Sequence, residues 1–409
     1  MRTYALLNTL LIVIARSPFI IGNPLNYGWE DEFLKTTEDR IKEHGYPGET
    51  HRVETIDNYV ITMFRIPYSH KLNNQNEKRP TVLLQHGLLS CSDGWILSGP
   101  NDALAFLLAD AGYDVWMGNA RGNRYSRNNT RLSTLHPYFW RFSWHEIGIN
   151  DISAMIDHIL QTTGETATHY VGHSQGTTVY FVLMSSRPEY NEKIKTAHLL
   201  APVVFMGNMK TVLAKYTRRF IGRPNQLTRM FDTMEILPST LFFKNIYDIY
   251  CMKDPKLAYM CKNLFTLYNG ELGRDSNMNM TVSDRMNETH PAGASSTQVL
   301  HYMQEYESGR FCQLDFGQKE NLKKYGQSTP PDYNLANIDP DGLHFYYSDE
   351  DQLASEIDVE YLAAQLSKEP NMFHVPDPTF THSDFVWSNH VKEMINDRII
   401  NACNLYEQS

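Results

Sequence analysis

Short apolar runs alternate with segments of helical periodicity over two stretches of this chain, and between the two the alternation stops. The first stretch opens with an amphipathic segment over 29–45, which predicts a helix ended by Gly45. Residues 52–67 follow as a predicted hairpin turning at Asp57-Asn58. The run 81–84 is a candidate strand buried on both faces, 103–111 a helix closed by Gly112, and 113–117 the next strand. A helix over 147–160, a strand over 168–171 and a short strand over 196–200 continue the pattern. Strands alternating with helices imply βαβ units, so the expected fold class is α/β with a mainly parallel central sheet covered by helices.

From 204 to 324 methionine and aromatic residues become frequent without strand spacing, for example Met206, Met209, Met230, Phe231 and Phe265. This reads as an inserted, mainly helical segment. It is either a subdomain that packs its own core or a cap over a site, since unbranched and aromatic side chains adapt to irregular apolar ligands. Alternation returns with a strand over 343–347, a helix over 359–366, a strand over 372–375 and a closing helix from Asp384. No repeat or low-complexity linker separates the stretches. Residues 23–203 and 325–409 are therefore expected to form one sheet domain interrupted by the cap or lid at 204–324.

The first 22 residues read differently. Met1-Arg2 precedes an apolar run over 4–15, the form of a secretory signal too short to span a membrane comfortably. Cleavage is expected near 21–23, and because the apolar run resumes at Pro18-Phe19-Ile20-Ile21, an uncleaved anchor is the alternative. A chain of 409 residues with 42% hydrophobic content can build a large core, and its net charge of −10 with no basic cluster argues against a nucleic-acid partner. Secretion makes the five cysteines disulfide candidates. Cys251 and Cys261 bracket the turn-prone Asp254-Pro255 and are the expected pair, two unpaired buried thiols being the alternative; Cys91, Cys312 and Cys403 have no evident partner. Glycosylation sequons stand at Asn128, Asn279 and Asn287.

The chemistry concentrates at Gly172-His173-Ser174-Gln175-Gly176, which joins a strand candidate directly to a helix candidate. A sharp turn there would push the Ser174 hydroxyl out above the sheet, the nucleophile elbow of α/β-hydrolases. A serine hydroxyl is a poor nucleophile near neutral pH and needs a base, with a third group to orient that base. In this fold those partners follow in the order acid, then histidine. The acidic cluster Asp349-Glu350-Asp351 follows the strand over 343–347, and His382 follows the strand over 372–375, both at carboxyl ends where ligands bind in open α/β sheets. His344 and His374 lie within strands and read as core histidines, and His390 as solvated. The strand over 81–84 runs into Gln85-His86-Gly87-Leu88-Leu89, which can aim the Leu88 N–H at a developing oxyanion, with the N–H of Gln175 as second donor.

These stretches resemble the acid lipase family, which contains gastric and lysosomal acid lipases and insect digestive lipases. The resemblance spans nearly all of the mature chain. It is carried by Leu84-Gln85-His86-Gly87-Leu88-Leu89, Gly118-Asn119-Ala120-Arg121-Gly122-Asn123, Tyr170-Val171-Gly172-His173-Ser174-Gln175-Gly176, His290-Pro291-Ala292-Gly293 and His382-Ser383-Asp384-Phe385-Val386-Trp387. It implies Ser174 as nucleophile, His382 as base, and Leu88 and Gln175 as oxyanion donors. Where the family usually has Gly-Asn-Asp, this chain has Asp349-Glu350-Asp351. Matching onward through Leu353-Ala354 and Asp358-Val359 selects Asp351 as the acid, with Asp349 as the alternative. The family's cap cysteine pair falls on Cys251 and Cys261 with slightly different spacing. The implied protein is a secreted or lysosomal serine hydrolase of triacylglycerols or sterol esters, a monomer at a lipid–water interface, with no stable transmembrane anchor, metal or organic cofactor. A carboxylesterase of small soluble esters and a non-catalytic lipid-binding protein are the rival expectations.

Overall fold

The carboxyl ends of the parallel strands line up on one edge of a single sheet, and every loop of chemical interest leaves from that edge. The computed structural model describes residues 35–238, 282, 285, 286 and 288–409. The signal segment, Cys251, Cys261, Asn279 and Asn287 lie outside the described residues. The strands are β1 (Glu49–Glu54), β2 (Tyr59–Ile66), β3 (Thr81–Gln85), β4 (Asp114–Met117), β5 (Asn128–Asn129), β6 (Thr168–His173), β7 (Ile194–Leu200), β8 (Glu235–Ile236), β9 (Ala294–Ser295), β10 (Leu343–Tyr347) and β11 (Asn371–His374). The main sheet runs β1-β2-β4-β3-β6-β7-β10-β11, with β5 on β2; β8 and β9 pair separately. β1, β2 and β4 are joined antiparallel, and from β4 to β11 every pairing is parallel. The register pairs Gln85 with Gly172, His173 with Leu200, Leu200 with Tyr346 and Tyr347 with His374. Segments 86–89, 174–176, 348–351 and 375–382 are thereby delivered to the same edge.

Residue choice explains the layers. β3 and β6 are buried at every position, as continuous runs flanked by helices on both faces must be, whereas β1, on the edge, alternates half-buried with exposed and carries Glu49, Arg52 and Glu54. The hairpin between β1 and β2 turns through Asn58 at φ 72°, a left-handed conformation that asparagine tolerates. The first described helix, Thr37–Glu43, is opened by a capping box between Thr36 and Asp39.

Three expectations are corrected. The helix predicted over 147–160 begins earlier, at Trp144, because Ser143 and Glu146 form a capping box. It then widens into a π-helical stretch, Ile147–Ile152, before Ser153–Thr163. The closing helix is interrupted: Asp384–Trp387 stops at extended Ser388, where the Trp387 indole donates to the Gly94 carbonyl at 3.0 Å, and helix resumes at Val391, π-helical over Lys392–Asn396 before Asp397–Glu407. His374 is no core histidine, because β11 is the edge of the sheet and leaves that side chain exposed. His344 stacks half-buried on His198, and His390 is exposed.

Within 204–324, the described helices are Val212–Ile221, Gln226–Phe231, Ser296–Ser308 and Gln318–Tyr325. Tyr302, Tyr306 and Phe311 join the apolar cluster of the sheet, and the Tyr302 hydroxyl lies 2.8 Å from Thr178 Oγ1. Cys91, Cys312 and Cys403 are buried free thiols, and Asn128 is exposed on β5. Among the described residues no helix is long and apolar enough to cross a membrane.

Candidate active site

β6 ends at His173, and the helix Gln175–Ser186 starts one residue later, so the whole reversal falls on Ser174 at φ 53°, ψ −117°. A side chain in that region stores on the order of 1–3 kcal/mol, and surrounding structure must enforce it. Ser174 N–H donates to the Leu200 carbonyl at 3.0 Å, and the Ser174 carbonyl accepts from Thr177 N at 2.8 Å and Thr177 Oγ1 at 2.6 Å. Two glycines let the layers close around it. A methyl at Gly172 would come within 2.7 Å of the Gly176 carbonyl, and one at Gly176 would overlap the Gln85 carbonyl oxygen. The next turn is as close, since a methyl at Gly87 would lie 3.0 Å from Ser174 Cβ. Ser174 is half-buried, whereas its neighbours His173 and Gln175 are buried.

His382 sits in the loop after β11. Its Nδ1 is 2.7 Å from Asp351 Oδ2, and since an ionised carboxylate only accepts, the Nδ1–H tautomer follows. The Asp351 side chain is fully buried, and its Oδ1 accepts the N–H groups of Leu353 at 2.8 Å and Ala354 at 2.9 Å. The other imidazole nitrogen, Nε2, is buried with no hydrogen-bond partner among the described residues. His173, adjacent to Ser174, brings the loop in: its Nε2 donates to the His382 carbonyl at 2.9 Å, and the two rings are 5.0 Å apart. Burial, helped by the nearby His382, pushes the His173 pKa down to about 3, so that ring is neutral. The loop is pinned further by Thr381, whose N–H and Oγ1 donate to Asp384 Oδ2 at 2.8 and 2.7 Å, and by Ser348 Oγ on the Phe380 carbonyl at 2.7 Å.

The acidic cluster splits. Asp351 faces His382, while Asp349 is turned to the rim, where its Oδ1 is 2.8 Å from His374 Nε2; Glu356 stands 3.9 Å from the same nitrogen. Asp349 is thus separated from His382 and joined to an exposed ion-pair cluster.

Gly87, the residue before Leu88, approaches Ser174 from the β3 side, and Gln175 follows Ser174 at the start of the helix. Gln175 is the first residue of its helix, so its N–H is one of the four at a helix start that have no intrahelical acceptor, and it lies where the dipole favours negative charge. Leu88 lies in the turn after β3, and the residues bracing this turn carry no periodicity signal in the sequence. His86 Nδ1 donates to the Gly87 carbonyl at 2.8 Å, while its Nε2 accepts from Ala120 N at 3.1 Å and Asn123 Nδ2 at 3.2 Å. Burial pushes the His86 pKa down to about 4, which keeps that donor–acceptor pattern intact. Asn119 ties the same region together, accepting from Ser92 N at 3.0 Å and donating to the Thr62 carbonyl at 3.1 Å. Arg121 is buried between Asp151 and Asp57, with Nε 2.8 Å from Asp151 Oδ1 and Nη2 2.9 Å from Asp57 Oδ1. The stretch 118–123 is a scaffold for the turn at Leu88.

Comparison with known proteins agrees with this fold. A family model described as "alpha/beta hydrolase fold" matches residues 80–388, and one described as "Partial alpha/beta-hydrolase lipase region" matches residues 37–99. The chain is 43% identical to Lipase 3 of Drosophila melanogaster, over 90% of this chain and 93% of that one. It is 37% identical to gastric triacylglycerol lipase of Bos taurus, over 87% and 88% of the two chains. It is 36% identical to lysosomal acid lipase/cholesteryl ester hydrolase of Macaca fascicularis, over 89% of each. Elbow, buried imidazole–carboxylate pair and end-to-end similarity converge: the chain belongs to the acid lipase family of α/β-hydrolases, a family of carboxylic ester hydrolases.

Proposed function

We propose that this protein hydrolyses lipid esters through an acyl-enzyme on Ser174. The observation that carries the reading is the 2.7 Å contact of His382 Nδ1 with buried Asp351, at a loop held against the strained elbow. Ser174 Oγ attacks the ester carbonyl as its proton passes to His382 Nε2, and Asp351 holds the imidazole in the tautomer that leaves Nε2 free to accept. The tetrahedral oxyanion is stabilised by the N–H groups of Leu88 and Gln175. His382 then returns the proton to the departing alcohol. Water, deprotonated by the same imidazole, attacks the acyl-enzyme, and the fatty acid leaves with Ser174 restored.

Triacylglycerols are the proposed main substrates and sterol esters the second class. Relatives carrying those words in their names are aligned over nearly their whole length, and the 204–324 segment supplies apolar side chains for acyl binding. The protein works as a monomer at a lipid–water interface, in the extracellular or lysosomal space reached by way of the 1–22 signal.

Tributyrin, triolein and cholesteryl oleate, assayed with wild type and with Ser174→Ala, test this reading. Turnover of a long-chain substrate that falls by about 10⁶ in a folded Ser174→Ala variant is expected. Activity confined to water-soluble short esters would make it a carboxylesterase, and a tenth of wild-type activity surviving in Ser174→Ala would end the serine mechanism.

A further inference from the structure

The turn that presents Leu88 is not self-supporting. Leu89 lies at φ 59°, a left-handed conformation that costs a residue with a Cβ roughly 1–2 kcal/mol, and within the turn one backbone bond closes it, Ser90 N to the Gly87 carbonyl at 3.2 Å. Besides the 118–123 stretch, support comes from residues two hundred positions later, within the insertion. Ser90 Oγ is 2.9 Å from His290 Nε2, His290 Nδ1 is 2.8 Å from Thr289 Oγ1, and Ala292 N–H donates to the Leu89 carbonyl at 2.7 Å. The His290 ring stands edge-on to Trp387 at 5.3 Å, beside the segment that carries His382. A ring so placed has one purpose-fitting protonation state. Burial pushes its pKa down to about 3, so across the working range it is neutral and offers one donor and one acceptor, the pair that two hydroxyls can satisfy.

We propose that His290 is a positioning residue for the oxyanion donor: through Ser90 it fixes the 87–90 turn so that the Leu88 N–H points at the developing oxyanion. This rests on the reading of Leu88 as that donor. The contact is made by a segment within the 204–324 insertion, so the aim of the donor is set by where that part of the insertion meets the core. His290 touches no substrate in this scheme. Its effect is confined to a bond that strengthens as charge develops, and such an effect appears in kcat rather than KM.

The test uses the full-length enzyme with a soluble p-nitrophenyl ester, on Ser90→Ala, His290→Ala, the double variant and His290→Gln. Removing an oxyanion donor outright costs about 10²–10³ in kcat, so misaiming one is expected to cost about 10–10² with KM changed less than about twofold. The double variant should be no slower than the slower single variant, because both remove one linkage. Glutamine, whose amide replaces Nε2, should recover most of the loss. Inactivation by a p-nitrophenyl alkylphosphonate should slow in step, since Ser174 displaces p-nitrophenolate and leaves a phosphoryl oxygen in the same position. Unchanged kcat in folded Ser90→Ala, losses that multiply in the double variant, or a loss carried by KM would each overturn the proposal. If His290→Ala does not fold, Ser90→Ala decides alone. Failure of the phosphonate to label Ser174 in wild type would instead strike the parent reading.

Discussion

His382 and Asp351 meet at 2.7 Å with the carboxylate fully buried, while Asp349, two residues before, points away to His374 at 2.8 Å. One short turn therefore divides two chemically identical side chains between a buried and an exposed partner. Asp351→Asn is expected to lower kcat by about 10⁴, because an amide at that position can stabilise the wrong imidazole tautomer. Asp349→Asn should stay within about twofold of wild type, as an exposed ion pair contributes little. Steady-state kinetics on a soluble ester decides, and the opposite ranking would move the acid to Asp349.

The elbow gives a steric prediction with an internal control. A methyl at Gly176 would overlap the Gln85 carbonyl oxygen and sit 3.3 Å from that of His86, both backbone atoms that cannot swing aside. At Gly164, with φ +74°, nothing lies within 4 Å, so substitution there meets only the left-handed backbone. Gly176→Ala should cost about 1–3 kcal/mol or more from overpacking and depress kcat as β3 and the elbow separate. Gly164→Ala should cost about 1–2 kcal/mol and leave kcat alone. Thermal unfolding and kinetics on both variants check this, and equal kcat in the two would show that the elbow tolerates the displacement.

The sheet was legible because short runs such as Val82-Leu83-Leu84 in β3 and Tyr170-Val171 in β6 stand out between helical segments, and the predicted strand over 343–347 is the observed β10. That Ser174, Asp351 and His382 fall on one edge of the sheet could be read because each follows a predicted strand at its carboxyl end. The bracing around them was not legible. His86, Asn119, Asn123 and His173 act through hydrogen bonds between segments far apart in sequence, and a polar residue after a strand gives no sign of whether it faces water or a buried carbonyl. Edge position likewise depends on strand order, so His374 on β11 looked like a core residue until the sheet placed that strand last.

Buried histidines weaken the fold in acid: His173, His290 and His86 do so together with His169, His198 and His301, which burial also lowers. Burial holds His173 and His290 down to about 3 and His86 to about 4, against an unfolded value near ~6.5. The folded state binds fewer protons than the unfolded one between those values, so stability is complete above about pH 6.5 and is lost as pH falls toward 3–4. At pH 5 each group is expected to have withdrawn on the order of 2 kcal/mol. Urea unfolding at several pH values between 5 and 7 measures the slope, and a flat profile would mean that these rings are not held neutral.

Glu305 works in the opposite direction. It lies on the helix Ser296–Ser308 with both carboxyl oxygens buried and without a hydrogen-bond partner among the described residues, and burial pushes its pKa well above the usual carboxylate range. A carboxyl raised in the fold contributes its full stability below the unfolded value near ~4.3 and loses it as pH climbs toward the folded value, because the unfolded state releases the proton first. The penalty is thus felt at neutral pH and absent in acid. Glu305→Gln removes the titration and keeps the shape, so the variant's melting temperature relative to wild type should rise as pH goes from 4 to 8, with little or no gain at pH 4. Paired thermal scans at the two ends measure it. A difference that does not change with pH would show that Glu305 is ionised in the fold with a partner, or neutral in neither state, and the helix would then owe nothing to its protonation.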